Sequence, residues 1–251
     1  MSETQFNFPT EVIDLSSRGL MYPKENPLSS GKVNMKYMSA REEDILTNEN
    51  YLNQGIVLDK LMESLITDKI DLKSMWSFDK DSLLIATRIL AYGEQYDFVY
   101  KNLPQTINLN ELEVIEPNEE SLKENNFEFT LPHTKTKITF KFLNGYDEEL
   151  ISGDIKGLKK LNLKNNQLVS ESSVRWKHII TSVNGDDSPN TINDFVNNHF
   201  LARDARELRK YIKSITPGIQ TKFTFNNPQT GLEEEANIPI QVNFFWPDVE
   251  L

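Results

Sequence analysis

Residues 79–96 read DKDSLLIATRILAYGEQY and carry the strongest helical signal in the chain. Asp79 or Asp81 supplies a side-chain acceptor for the free N–H groups at a helix start. Leu84, Ile85, Ile89 and Leu90 then share one side at helical spacing, and Gly93 falls near the end. Upstream, GIVLDKLMESLI places apolar residues at 57, 58, 61, 62, 65 and 66, a second helical stripe. In SAREEDILT, Ser39 precedes Glu42 by three residues, a capping box that predicts a third helix. KVNMKYM alternates Val33, Met35 and Tyr37 with Lys32, Asn34 and Lys36, the period of a half-buried strand. Before it, IDLSSRGLMYPKENPLSSGK crowds Gly19, Pro23, Pro27 and Gly31 too closely for a helix, so residues 1–31 read as an extended, turn-rich lead.

Downstream of the long helix the period changes. FEFTLPHTKTKITFKFL holds two alternating runs, Phe127-Phe129-Leu131 and Ile138-Phe140-Phe142, which predict a β-hairpin with a loose turn. Residues 103–126 read as a linker with one short strand. Helical spacing returns in TINDFVNNHF, with Ile192, Phe195, Val196 and Phe200 on one side. Asp204 and Glu207 suggest the start of a further helix, DARELRKYIKSI, with an inner face of Ala205, Leu208, Tyr211, Ile212 and Ile215, stopped by Pro217-Gly218. TKFTFNN and IPIQVNFFW close the chain as strands. The class is α+β: a mainly helical N-terminal part with a strand, a middle β-hairpin, and a C-terminal helix pair followed by short strands. The expected divisions are an N-terminal domain at 1–102, a linker at 103–126 and a C-terminal domain at 127–251.

Composition narrows the function. A chain of 251 residues with 38% hydrophobic and 26% charged residues can bury a globular core. Its net charge of -11 argues against nucleic-acid or anionic-membrane binding, which needs a surplus of Lys and Arg. The absence of cysteine removes disulfides and thiolate metal sites and suits a reducing compartment. MSETQFNFPTEVIDL lacks the basic start and apolar run of a signal peptide, and no stretch is apolar enough for a membrane span.

Catalytic patterns are missing. His133, His178 and His199 are far apart, and the acidic runs at 147–149 and 233–235 lack the spacing of a calcium loop and read as solvated surface. SVNGDDSPNT lacks Gly-Lys-Ser/Thr, so it is no phosphate loop. No enzyme activity, metal or cofactor is expected. Arg203, Arg206, Arg209, Lys210 and Lys213 on the second of two adjoining helices suggest a DNA-reading pair within 192–215. They equally describe the exposed face of an amphipathic helix whose cations favour its C-terminal end.

Three stretches together resemble one family: IDLSSRGLMYP followed by GKVNMKYMSAREEDILT, then LLIATRILAYGEQY, then the pair ITPGI and IPIQVNFFWP. In order, and over nearly the whole chain, they are similar to the baseplate hub assembly proteins of T-even-like contractile-tailed phages. The resemblance implies a non-enzymatic role in assembling the central hub, as a chaperone-like factor or minor hub component, or else a structural tail subunit. It implies contacts with hub or tape-measure proteins in the infected bacterial cytoplasm, without nucleic acid or membrane, and it is compatible with homo-oligomerisation. Many members carry a cysteine cluster soon after the long central helix. QYDFVYKNLPQTINLNEL has none here, so any fold at that place must hold without a metal.

Two regions are candidate partner-binding surfaces. Ser17, Arg18, Gly19 and Leu20 predict a tight turn in which Gly19 needs a positive φ, with Tyr22 just beyond. That turn is either a docking loop or an element closing the first domain. At the other end, strand alternation sets Ile238, Ile240, Val242, Phe244 and Trp246 on a core face. Phe245 falls on the opposite, polar face, and with Asp248 to Leu251 it is expected to touch another tail protein.

Overall fold

The computed structural model describes residues 9–162, 170–227 and 230–245. In chain order the elements are β1 (Thr10–Asp14), β2 (Lys32–Lys36), α1 (Ala40–Leu46), α2 (Glu49–Gln54), α3 (Val57–Leu65), α4 (Ser77–Tyr92), β3 (Gln95–Tyr100), β4 (Leu103–Asn108) and β5 (Val114–Ile115). They continue as β6 (Phe127–Thr130), β7 (Lys137–Phe140), α5 (Gly145–Asn162), α6 (Glu171–Ile179), β8 (Ile180–Val183), α7 (Pro189–Asp194), α8 (Ala202–Ile215), β9 (Gly218–Ile219), β10 (Lys222–Asn226) and β11 (Glu233–Asn237). The class is α+β, with the described strands paired antiparallel in small sheets.

Two compact units emerge. One takes in Met1–Leu72, Phe78–Pro117 and Pro217–Leu251, the other Lys73–Ser77 and Asn118–Thr216. This differs from the expected division at 102 and 126, because the C-terminal strands return to the first unit. β9 pairs with β5, setting Val114 opposite Ile219. β10 brings Phe223 edge-on to Phe98 and Tyr100, at 5.0 and 5.3 Å between ring centres.

In the first unit α4 is buried over much of its circumference from Phe78 onward, with Leu83, Leu84 and Ile85 almost wholly enclosed. The inner residues of β2, Val33 and Met35, and those of α3, Leu61 and Leu65, are fully buried, as their spacing predicts. The capping box also forms. The Glu42 carboxylate accepts the N–H and hydroxyl of Ser39 at 2.9 and 2.6 Å, and further bonds from Lys36 and Ser64 at 2.8 and 2.7 Å. Burial alone would raise this carboxyl, but those hydrogen bonds outweigh it and hold the pKa at about 2.

β4 opens the region read as a linker and pairs with β3, which lies just ahead of that region, in a hairpin. Its two-residue turn, Lys101 and Asn102, has φ of 49° and 61°, the left-handed pair that matches strand twist. Neither residue is glycine, so the usual turn signal is missing.

The last segment also differs from expectation. The C-terminal strand is Glu233–Asn237, and Val242–Phe244 forms a 3-10 turn where continued strand was predicted. Alternation then no longer sorts the rings: Phe244 and Phe245 are 0% and 1% exposed. Phe244 packs edge-on against Tyr96 at 4.9 Å, and its carbonyl accepts from Arg88 Nε at 3.1 Å.

The second unit holds the three-stranded sheet β6-β7-β8 with α5 to α8. The predicted β6–β7 hairpin is present, and the strand β8 and helices α5 and α6 add to it. α7 continues as a π-helical turn at Phe195–His199, with Ile192, Phe195 and Val196 inward. α8 starts at Ala202, two residues before the expected cap. Asp204 is fully buried, and its carboxylate accepts the backbone N–H groups of His133 and Thr134 at 2.9 and 3.1 Å, fastening the hairpin turn. The cations of α8 face outward; Arg209 lies 5.6 Å over Trp176 and Lys210 pairs with Glu207.

Candidate partner-docking loop

Pairing of β1 with β2 brings Asp14 opposite Lys32 and closes the chain between them into a loop, residues 15–31. Leu15 N–H donates to the Gly31 carbonyl at 2.8 Å and continues the ladder one step into the loop. Tight turns follow, Arg18 N–H to Leu15 carbonyl at 2.9 Å and Leu20 N–H to Ser17 carbonyl at 3.0 Å. Asn26 then caps a 3-10 turn, Pro27–Ser30, by accepting the Leu28 N–H at 3.0 Å. Leu15, Leu28 and Tyr22 turn inward and are buried. The loop is therefore a packed body closed at its base.

α4 holds it from within. Asp79 is fully buried, and its carboxylate accepts the Ser17 N–H and hydroxyl, each at 2.7 Å, and the Tyr22 hydroxyl at 2.8 Å. One turn along, the Ser16 hydroxyl donates to Ser82 Oγ at 2.6 Å. Burial pushes the Asp79 carboxyl above its ordinary range, against the pull of its hydrogen-bond donors. In the sequence Asp79 reads as a helix cap; its service to a loop over 60 residues away leaves no local pattern.

Backbone geometry explains the glycines. Gly19 has φ of 82°, as the predicted turn requires, and a Cβ there would lie 2.3 Å from the Ser29 carbonyl oxygen. Gly31 faces it across the loop, with a Cβ only 2.7 Å from the Arg18 carbonyl carbon. Arg18 and Met21 also hold positive φ, 53° and 64°, which side-chain-bearing residues rarely adopt. Such conformations cost of order 1 kcal/mol or more each and persist where surrounding contacts over-determine them, often at binding sites.

Each sequence candidate can now be placed. Arg18 lies on the outer rim with its side chain 62% exposed, in an ion pair with the equally exposed Glu116 beside β5. Leu20 is half-buried on the same rim. Gly19 is a packing residue, and Tyr22 is 8% exposed with its hydroxyl on Asp79, so neither offers a free surface. Phe245 is buried inside the first unit, which corrects its assignment as an exposed anchor. Asp248 and Leu251, like Trp246, lie outside the described residues. Glu116 was missed, since a lone acid in a polar stretch carries no signal until the fold brings Arg18 beside it.

Among the described residues no three His, Asp or Glu side chains gather in a metal-binding group, and no helix is long and apolar enough to cross a membrane. The clasped loop presents the charged, exposed Arg18 on its rim next to the half-buried Leu20. Residues 21–246 match the family model described as T4 bacteriophage base plate protein, and the chain belongs to that family. It is thus a phage baseplate protein, which fits a structural or assembly role in a family that is generally structural. No curated protein and no solved structure matches it.

Proposed function

We propose that this baseplate protein acts in assembling the central hub, by protein–protein contacts made through the outer rim of the 15–31 loop. The carrying observation is the Asp79 clasp, which prepays the ordering of that loop before any partner arrives. Arg18 and Leu20 supply a charged and an apolar contact on the rim, and hub or tape-measure proteins are the partners this role calls for. The chain works in the host cytoplasm as a chaperone-like factor or joins the hub as a minor component.

Infection with phage lacking this chain tests the proposal. Tail intermediates separated on a gradient should show outer baseplate parts without completed hubs. Completed hubs at normal yield would refute the assembly role. Proteomics of purified wild-type virions separates the two forms: a chaperone-like factor is absent from them, and a hub component is present.

A further inference from the structure

α5 carries more apolar surface than its own unit covers. Ile151 packs with Leu143 and Val174, and Ile155 lies against that cluster. Beside this buried face, Tyr146, Leu150 and Leu161 are 48%, 60% and 62% exposed. At about 100° per residue they share an arc of roughly 80° with Gly153 and Gly157. Among the described residues, a Cβ added at either glycine would meet nothing within 4 Å. No packing among those residues requires them, although glycine inside a helix costs about 0.5–1 kcal/mol relative to alanine. They line a hollow walled by Leu158, Leu161 and Val174.

We propose that a second copy of this chain covers the face, with the two α5 helices antiparallel about a two-fold axis between Gly153 and Asp154. The pattern is self-complementary in that arrangement. Tyr146 falls opposite the second copy's Leu161, and Leu150 opposite the second copy's Gly157, a large side chain meeting a hollow. Charge follows the same symmetry. Glu149, Lys156 and Lys160 lie on one flank of the stripe, and antiparallel helices set like flank against like flank. Glu149 then sits between the second copy's Lys156 and Lys160. Within its own chain Glu149 makes a solvent-exposed pair with Lys73 at 2.8 Å. Lys156 and Lys160 have no ion pair among the described residues. Each interface thus gains both charge contacts twice, as a closed isologous dimer does.

Sedimentation equilibrium of the full chain at submillimolar concentrations tests this. The expected result is a monomer–dimer equilibrium. Leu161→Asp and Gly157→Leu should each raise the dissociation constant about thirtyfold or more, the scale of an interface hot spot. Both positions are exposed, and Gly157→Leu favours the helix, so thermal melts should show a folded monomer. The double variant Lys156→Glu and Lys160→Glu should weaken the dimer about fivefold at low salt, and adding Glu149→Lys to the same chain should restore it. A chain monomeric throughout the range overturns the proposal. So does a dimer indifferent to Gly157→Leu, or one that the charge exchange fails to restore.

Discussion

The Asp79 carboxylate reaches across more than 60 residues of sequence to accept both the N–H and the hydroxyl of Ser17, each at 2.7 Å. The Tyr22 hydroxyl also donates to this carboxylate, so opening the loop would break three hydrogen bonds to a buried Asp79. Asp79→Ala should therefore lower stability by about 2–4 kcal/mol, the cost of several unsatisfied buried groups. Urea unfolding monitored by tryptophan fluorescence measures it. Asp79→Asn should cost less, because an amide oxygen still accepts the Ser17 N–H.

The two rings before Trp246 should behave alike. Phe244 and Phe245 are both enclosed, with their ring centres 5.6 Å apart. Phe244→Ala and Phe245→Ala should each cost about 3–5 kcal/mol, as aromatic truncations in a core do. Paired denaturation curves check this. A Phe245→Ala variant of wild-type stability would restore the exposed-anchor reading.

Where one element supplies its own pattern, the sequence is legible. Ser39 and Glu42 predict the α1 cap, Val33 and Met35 the inner side of β2, and the 79–96 stretch the central helix. Legibility ends where a residue serves a distant segment. Asp79 and Asp204 both read as helix caps in the sequence, yet each lies within the first helical turn and its carboxylate is used by a loop far away in sequence. Phe245 fails for another reason, since alternation sorts faces only while the chain stays a strand, and a 3-10 turn intervenes. Glu233, Glu234 and Glu235 read as solvated charge, and in the fold they begin β11, opposite Asn226, Phe225 and Thr224 of β10. For the docking loop, Gly19 and the turn were visible, but the clasp and the Arg18–Glu116 pair were not.

Acid should weaken the first unit through Glu42. Its folded pKa, about 2, lies below the unfolded value, so its stabilisation is present above roughly pH 4.5 and lost as pH falls toward 2. Asp79 acts oppositely: its raised pKa contributes stability at low pH that is lost as pH rises through the folded value. Glu42→Gln should cost about 1–3 kcal/mol at neutral pH and flatten the decline of Tm between pH 4.5 and 2. Calorimetric melts across that range decide; an equally steep decline in Glu42→Gln would assign the acid sensitivity elsewhere.

The loop rim can be changed without touching the clasp. Arg18→Glu reverses an exposed ion pair that contributes about 1 kcal/mol or less, and Leu20→Ser removes an apolar contact from a half-buried position. Gly19→Val, by contrast, drives a Cβ into the Ser29 carbonyl and should lose fold and assembly together. The most direct measurement is completed-hub yield in infections complemented by the Arg18→Glu and Leu20→Ser double variant, alongside its melting temperature. The double variant should keep a Tm near that of the wild-type chain and lose hub completion. Normal hub yield from that folded variant would contradict docking through the rim.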